Sequence, residues 1–133
     1  MLSKPIQDAI NSQIQKEFES AYLYLGMAAH FDANNLPGFA HWMRKQFGEE
    51  QGHALRFYDY VYDQRGEVTL QAIAAPTGKF GKPVEIFQQV LAHEQKVTAS
   101  IIKVSPRLTT LPLSLRNSGW ELKRVPRVLM WQI

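Results

Sequence analysis

Glu50 and His53 stand three residues apart within Gly48-Glu49-Glu50-Gln51-Gly52-His53. On a helix that spacing puts both side chains on one face, about a turn apart. A carboxylate and an imidazole so placed can share a cation, because each offers a hard or borderline lone pair from the same side. Two more carboxylates, Glu17 and Glu94, fall at the centre of other apolar-periodic stretches. A charge in the middle of a buried stripe is costly unless it is paired or binds a metal. A lone Glu-x-x-His is easily met by accident. Three inward acids and a histidine on helices sharing one core are best explained by convergence on cations. Oxygen-rich ligation with a single imidazole suits iron or manganese, and zinc less specifically.

Helices are needed to hold these groups. In the first, Ile6, Ile10, Ile14, Ala21, Tyr24, Leu25 and Ala28 recur at spacings of three and four, predicting an amphipathic helix over about 5–33. Glu17 lies on its apolar face. Asn34-Asn35-Leu36-Pro37-Gly38 breaks the pattern, and so short a connection predicts an antiparallel neighbour. The second helix is expected over about 38–65. At ~100° per residue, Phe39, Met43, Phe47, Ala54, Phe57 and Val61 share a side that includes Glu50 and His53, with Glu49 at its edge. The third is expected over about 83–103, with Phe87, Val90, Val97 and Ile101 flanking Glu94.

Between the second and third helices, residues 66–82 carry turn signals and no helical period. About 17 extended residues can reach ~55–60 Å, whereas a helix of about 27 residues is ~40 Å long. The segment is therefore expected to cross the length of the bundle.

The chain has 133 residues, enough for one domain with a real core, and no cysteine. That excludes a disulfide framework and thiolate metal ligation. No apolar run is of signal-peptide or membrane-spanning kind, so a cytoplasmic protein with no membrane partner is expected. The net charge of +3 hides an asymmetry. Residues 103–133 carry six basic residues and one acid, whereas the remainder carries nine basic and eleven acidic residues. The basic tail is too dispersed and too poor in aromatics to read as a nucleic-acid surface. It also contains Pro106, Pro112 and Pro126 and keeps no helical period, so it reads as an atypical, diverged or frame-shifted segment following a bundle of residues 1–102.

Inward glutamates joined to a Glu-x-x-His form the ligand pattern of di-iron carboxylate helix bundles. Over residues 1 to about 101 the chain resembles the bacterial non-haem ferritins. The resemblance rests on Glu17 with Tyr24, on Glu49-Glu50-x-x-His53, on the crossover, and on His93-Glu94-Gln95-Lys96. It implies an all-α, ferritin-like antiparallel bundle with a long crossover between helices two and three. It also implies a twenty-four-subunit shell in which Fe(II) is oxidised by oxygen or peroxide and stored as ferric mineral, a ferroxidase-type activity. On that resemblance Glu17, Glu50 and His53 would bind a first iron, with Glu50 bridging to a second held by Glu94. Glu49 would serve a third site or iron transit, giving two or three irons per subunit. Tyr24 would be a hydrogen-bonding or redox-active neighbour. Haem is not expected, because Gly52 lies beside the motif and Met43 faces the core. His30, His41 and His93 form no chelating pair in this pattern.

The family's fourth helix, with its further ligands, has no counterpart after residue 102, so that helix is expected to be disrupted or missing. An alternative reading follows: an iron-binding or interaction bundle that does not catalyse oxidation.

Overall fold

The computed structural model describes residues 2–104, and the side chains of residues 2–99. Among them are three α-helices and no strand: α1 (Lys4–Ala33), α2 (Pro37–Asp63) and α3 (Pro83–Val104). The expectations for a fourth helix and for the basic tail concern residues outside those described, except that Lys103 and Val104, expected in the tail, belong to α3.

The chain divides into two compact units, the first being Met1–Gly81 and the second beginning at Lys82. In the first, α1 and α2 pack together as a helical hairpin. Its core holds Ile10, Ile14, Ala21, Tyr24, Met27, Ala28 and Phe31 from α1, and Ala40, Met43, Ala54 and Val61 from α2, each at most 2% exposed. These positions repeat every three or four residues, so each helix buries one stripe. Leu25 and Phe39, expected on the inward faces, are 37% and 39% exposed. Leu25 sits one position past Tyr24 and so turns about 100° out of the stripe. Phe39 lies in the first turn of α2, where its ring tilts against Phe31 with centroids 5.2 Å apart.

Both helices end in the same way. After α1, Leu36 N–H donates to Phe31 C=O (2.9 Å) and Asn35 N–H to Asp32 C=O (3.2 Å). After α2, Gly66 N–H donates to Val61 C=O (2.8 Å) and Arg65 N–H to Tyr62 C=O (2.9 Å). Each pair is a Schellman closure, which satisfies carbonyls that the helix itself leaves open. The left-handed positions are filled by Asn35 (φ 56°) and Arg65 (φ 57°) rather than by glycine.

The crossover is a strap lying along α1 and running in the same direction. Gln7 Oε1 accepts from Glu67 N–H (2.9 Å), and Asn11 Nδ2 donates to Glu67 C=O (3.1 Å). Asn11 Oδ1 also accepts from Thr69 N–H (3.2 Å), and Gln15 Nε2 donates to Ala72 C=O (2.8 Å). Further along, Pro76 lies against Gly26, and His30 Nε2 is 3.0 Å from Gly81 C=O. Buried Phe80 meets the His30 ring edge-on, centroids 5.8 Å apart. From Gln7 to His30 the helix rises ~35 Å, which the strap spans at about three quarters of its fully extended reach. The α1 positions used, 7, 11, 15, 26 and 30, wind slowly round the helix through about 140°, so the strap crosses one side of α1 obliquely.

In the second unit, Lys82 precedes α3, and its N–H donates to Glu85 Oε2 at 2.6 Å. This is half of a capping box, with the acid at the third helical position closing the N-terminus. Ile86 and Val90 are buried at 0% and 2% exposure, and Glu94 continues their stripe at 9%. Phe87, expected on the inward face, is only half-buried, because Ile86 holds that register.

Candidate metal centre

Glu17 projects from the middle of α1 and is 1% exposed; Glu50 projects from α2 and is 2% exposed. The periodicity that buries Ile10, Ile14, Ala21 and Tyr24 carries Glu17 inward with them. Met43 and Ala54 do the same for Glu50, and His53 follows one turn later, half-buried. Antiparallel packing of α1 and α2 then sets the three groups face to face.

One atom from each of Glu17, Glu50 and His53 lies within 4.8 Å of the other two. His53 Nδ1 is 3.3 Å from Glu50 Oε2 and 3.5 Å from Glu17 Oε2. For a cation ~2.1 Å from each donor, such separations subtend ~105–115° at the ion, a bond angle that tetrahedral or distorted octahedral ligation accepts. Two acceptor-only carboxylates facing one ring nitrogen form a site that either a proton on Nδ1 or a divalent cation can hold together. The donor set therefore fits a first-row divalent ion. One imidazole among carboxylate oxygens suits Fe(II) or Mn(II), and zinc less specifically.

Glu17 has its other oxygen engaged: Gln13 Nε2 donates to Glu17 Oε1 at 2.7 Å. Gln13 is 2% exposed and lies one turn before Glu17 on the same stripe. Its carbonyl oxygen, Oε1, is buried with no hydrogen-bond partner among the described residues. Sequence reasoning passed over Gln13, since a glutamine in a helix is solvent-facing by default. Its position four residues before Glu17, on the face of Ile10 and Ile14, was the available signal.

The remaining expected site residues are placed as follows. Glu49 is exposed, turned away from the face carrying Glu50. Tyr24 is fully buried, two turns beyond Glu17 on the same face. Glu94 is buried on α3, in the second unit. Among the described residues the group that could hold an ion comprises Glu17, Glu50 and His53. His41 is exposed on α2 and His30 is used by the strap. No helix among the described residues is long and apolar enough to cross a membrane.

A helical pair carrying inward carboxylates and a Glu-x-x-His is the arrangement seen in carboxylate-rich helix bundles. The ferritin family model, a ferritin-like domain, matches residues 7–107, and the chain belongs to that family. The "Bacterial non-heme ferritin" of Bacteroides fragilis (strain 638R) is 43% identical over 99 residues, covering 74% of this chain and 62% of that protein. That of Staphylococcus saprophyticus is 39% identical over 105 residues, covering 79% and 63%. The chain thus spans less than two thirds of the length of these relatives. Among solved structures, an Archaeoglobus fulgidus ferritin engineered to a closed form superposes with a TM-score of 0.79 at 33% identity, covering 98% of this chain and 77% of that one. An iron-soaked variant of PmFTN gives 0.86 at 27% identity, covering 95% and 82%.

Proposed function

We propose that this chain is an iron-storage subunit that takes up Fe(II) at Glu17, Glu50 and His53 as the first step of oxidation and mineral deposition. The observation that carries the reading is the cation-sized triangle of two buried carboxylates and one imidazole between α1 and α2. Fe(II) is the substrate. Anionic oxygens favour the ferric over the ferrous state by charge, so the donor set biases bound iron toward oxidation. Two Fe(II) each release one electron. Dioxygen takes both with two protons to give hydrogen peroxide, or peroxide takes both with two protons to give two water molecules. Glu94 is proposed to contribute to the second iron, Glu49 to a third site or to transit, and Tyr24 to hydrogen bonding or electron transfer beside the centre. Assembly into a shell and a cytoplasmic setting complete the proposal.

Aerobic mixing of Fe(II) with the purified chain tests it. Oxidation faster than in buffer, abolished by Glu50→Ala and by His53→Ala, is expected. An equal rate in wild type and variants would remove the site.

A second reading is favoured by one observation: the described residues gather three protein donors, enough for one cation. On that reading the chain binds iron without oxidising it rapidly. Binding near one Fe(II) per chain under argon, with no excess oxidation rate in air, would select it.

A further inference from the structure

We propose that Gln13 is a positioning residue that dedicates one oxygen of Glu17 to the cation, making Glu17 a one-oxygen ligand. This deepens the reading of Glu17, Glu50 and His53 as an iron site and rests on it.

The two oxygens of Glu17 have different neighbours. Oε1 accepts from Gln13 Nε2 at 2.7 Å, and Oε2 faces His53 Nδ1 at 3.5 Å. A hydrogen bond to a charged carboxylate is short and strong, so Oε1 is not readily released to chelate. The carboxamide orientation is fixed by the same contact. Reversing it would set Gln13 Oε1 against Glu17 Oε1, two acceptors with no proton between them. Kept as it is, the amide leaves its own Oε1 buried without a partner among the described residues. Turning the nitrogen to Glu17 necessarily turns Gln13 Oε1 away from it. Gln13 itself is 2% exposed and one helical turn from Glu17, so neither partner has room to turn away.

Hydrogen bonds to a ligand's far atom fix which atom binds and in what direction. With Oε1 held, Glu17 presents Oε2 alone, and the ion keeps a position open for its further ligands. Without Gln13, both oxygens are free to close on the ion and fill that position.

The test uses Co(II), which air does not oxidise in such a site, titrated into the full-length chain and followed by visible absorption. Wild type is expected to give intense d–d bands of four- or five-coordinate Co(II), and Glu17→Ala to lose them. Gln13→Met, which keeps length and removes the donor, is expected to bind about ten-fold more weakly with weaker, six-coordinate-type bands as Glu17 chelates. Gln13→Ala gives the same readout should the methionine variant not fold, and circular dichroism reports folding in each. Unchanged affinity and spectrum in either folded Gln13 variant overturns the positioning role while leaving the iron site standing. If wild type itself fails to bind Co(II), and Glu17→Ala is indistinguishable from it, the iron-site reading falls and the role of Gln13 falls with it.

Discussion

Gly26 and Pro76 meet so closely that a Cβ built on Gly26 would lie 2.8 Å from Pro76 Cγ and 3.1 Å from its Cβ. A proline ring is stiff, so the strap must move if the helix gains a side chain there. Gly26→Leu is expected to cost about 1–3 kcal/mol, read as a lowered denaturation midpoint. Gly48 and Gly52 sit in helix with nothing within 4 Å of the place a Cβ would take. Gly48→Ala or Gly52→Ala in the isolated chain is expected to add about 0.5–1 kcal/mol through helix propensity alone. One residue type on two adjoining helices thus answers substitution with opposite signs.

Asn11 uses both ends of its amide on the strap and is 5% exposed. Asn11→Ala strands the Thr69 N–H and the Glu67 carbonyl, with an expected cost of about 1–3 kcal/mol. Hydrogen exchange at the Thr69 amide is expected to accelerate well beyond that of α1 amides, whereas Gln15→Ala, at an exposed pin, is expected to have a smaller effect.

Filling the Glu17–Glu50–His53 triangle should stabilise the fold. A divalent ion bound only by the native state adds about 2.7 kcal/mol at a hundred times its dissociation constant. The thermal midpoint of wild type is expected to rise with Co(II) or anaerobic Fe(II), and that of His53→Ala to remain where it was. A rise of equal size in both would place the ion elsewhere.

Burial pushes the Tyr60 phenol above the ordinary tyrosine range. The folded state therefore favours the neutral phenol more than the unfolded chain does. The stability it contributes is complete below a pH of about 10, the ordinary phenol value, and is lost as pH rises from there toward the folded value. Tyr60→Phe is expected to flatten the alkaline limb of stability against pH, measured by urea denaturation between neutral pH and pH ~11. The Tyr58 phenol is also raised, chiefly by its side-chain hydrogen bond with Tyr62.

Arg65 closes α2 in a left-handed conformation at φ 57°. A side chain with a Cβ costs roughly 1–2 kcal/mol there relative to glycine, and glycine returns part of that as entropy in the unfolded chain. Arg65→Gly is expected to gain about 0.5–1 kcal/mol net, seen as a higher midpoint with no change in cation binding.

The all-α class and the crossover were legible because both are recorded in one dimension. Glu17 could be placed inward because it shares the period of Ile10, Ala21 and Tyr24, and the strap's reach followed from counting residues. What escaped notice depended on neighbours in space. Gln13 and Asn11 are polar residues that periodicity alone does not single out, yet one is held by Glu17 and the other by backbone 56 and 58 residues away. Leu25 and Phe87 read as core on apolarity, but each sits one register step from the residue that is buried, Tyr24 and Ile86. Periodicity defines a stripe to within one residue, and close packing decides which neighbour occupies it. In the candidate centre, the inward faces of Glu17, Glu50 and His53 were legible. The division of Glu17's two oxygens between Gln13 and His53 was not, since it is a matter of fractions of an ångström.

The strap's pins to α1 join residues 56 to 60 apart in sequence. Every one of them closes a loop that contains all of α2. Closing such a loop before α2 has docked sacrifices chain entropy for a few hydrogen bonds, whereas closing it afterwards costs far less. The expected folding order is the α1–α2 hairpin first and the strap second, read as later protection of the Thr69 amide than of α1 amides in pulsed hydrogen exchange. Because the hairpin alone brings Glu17 to Glu50 and His53, the candidate triangle draws no residue from the strap.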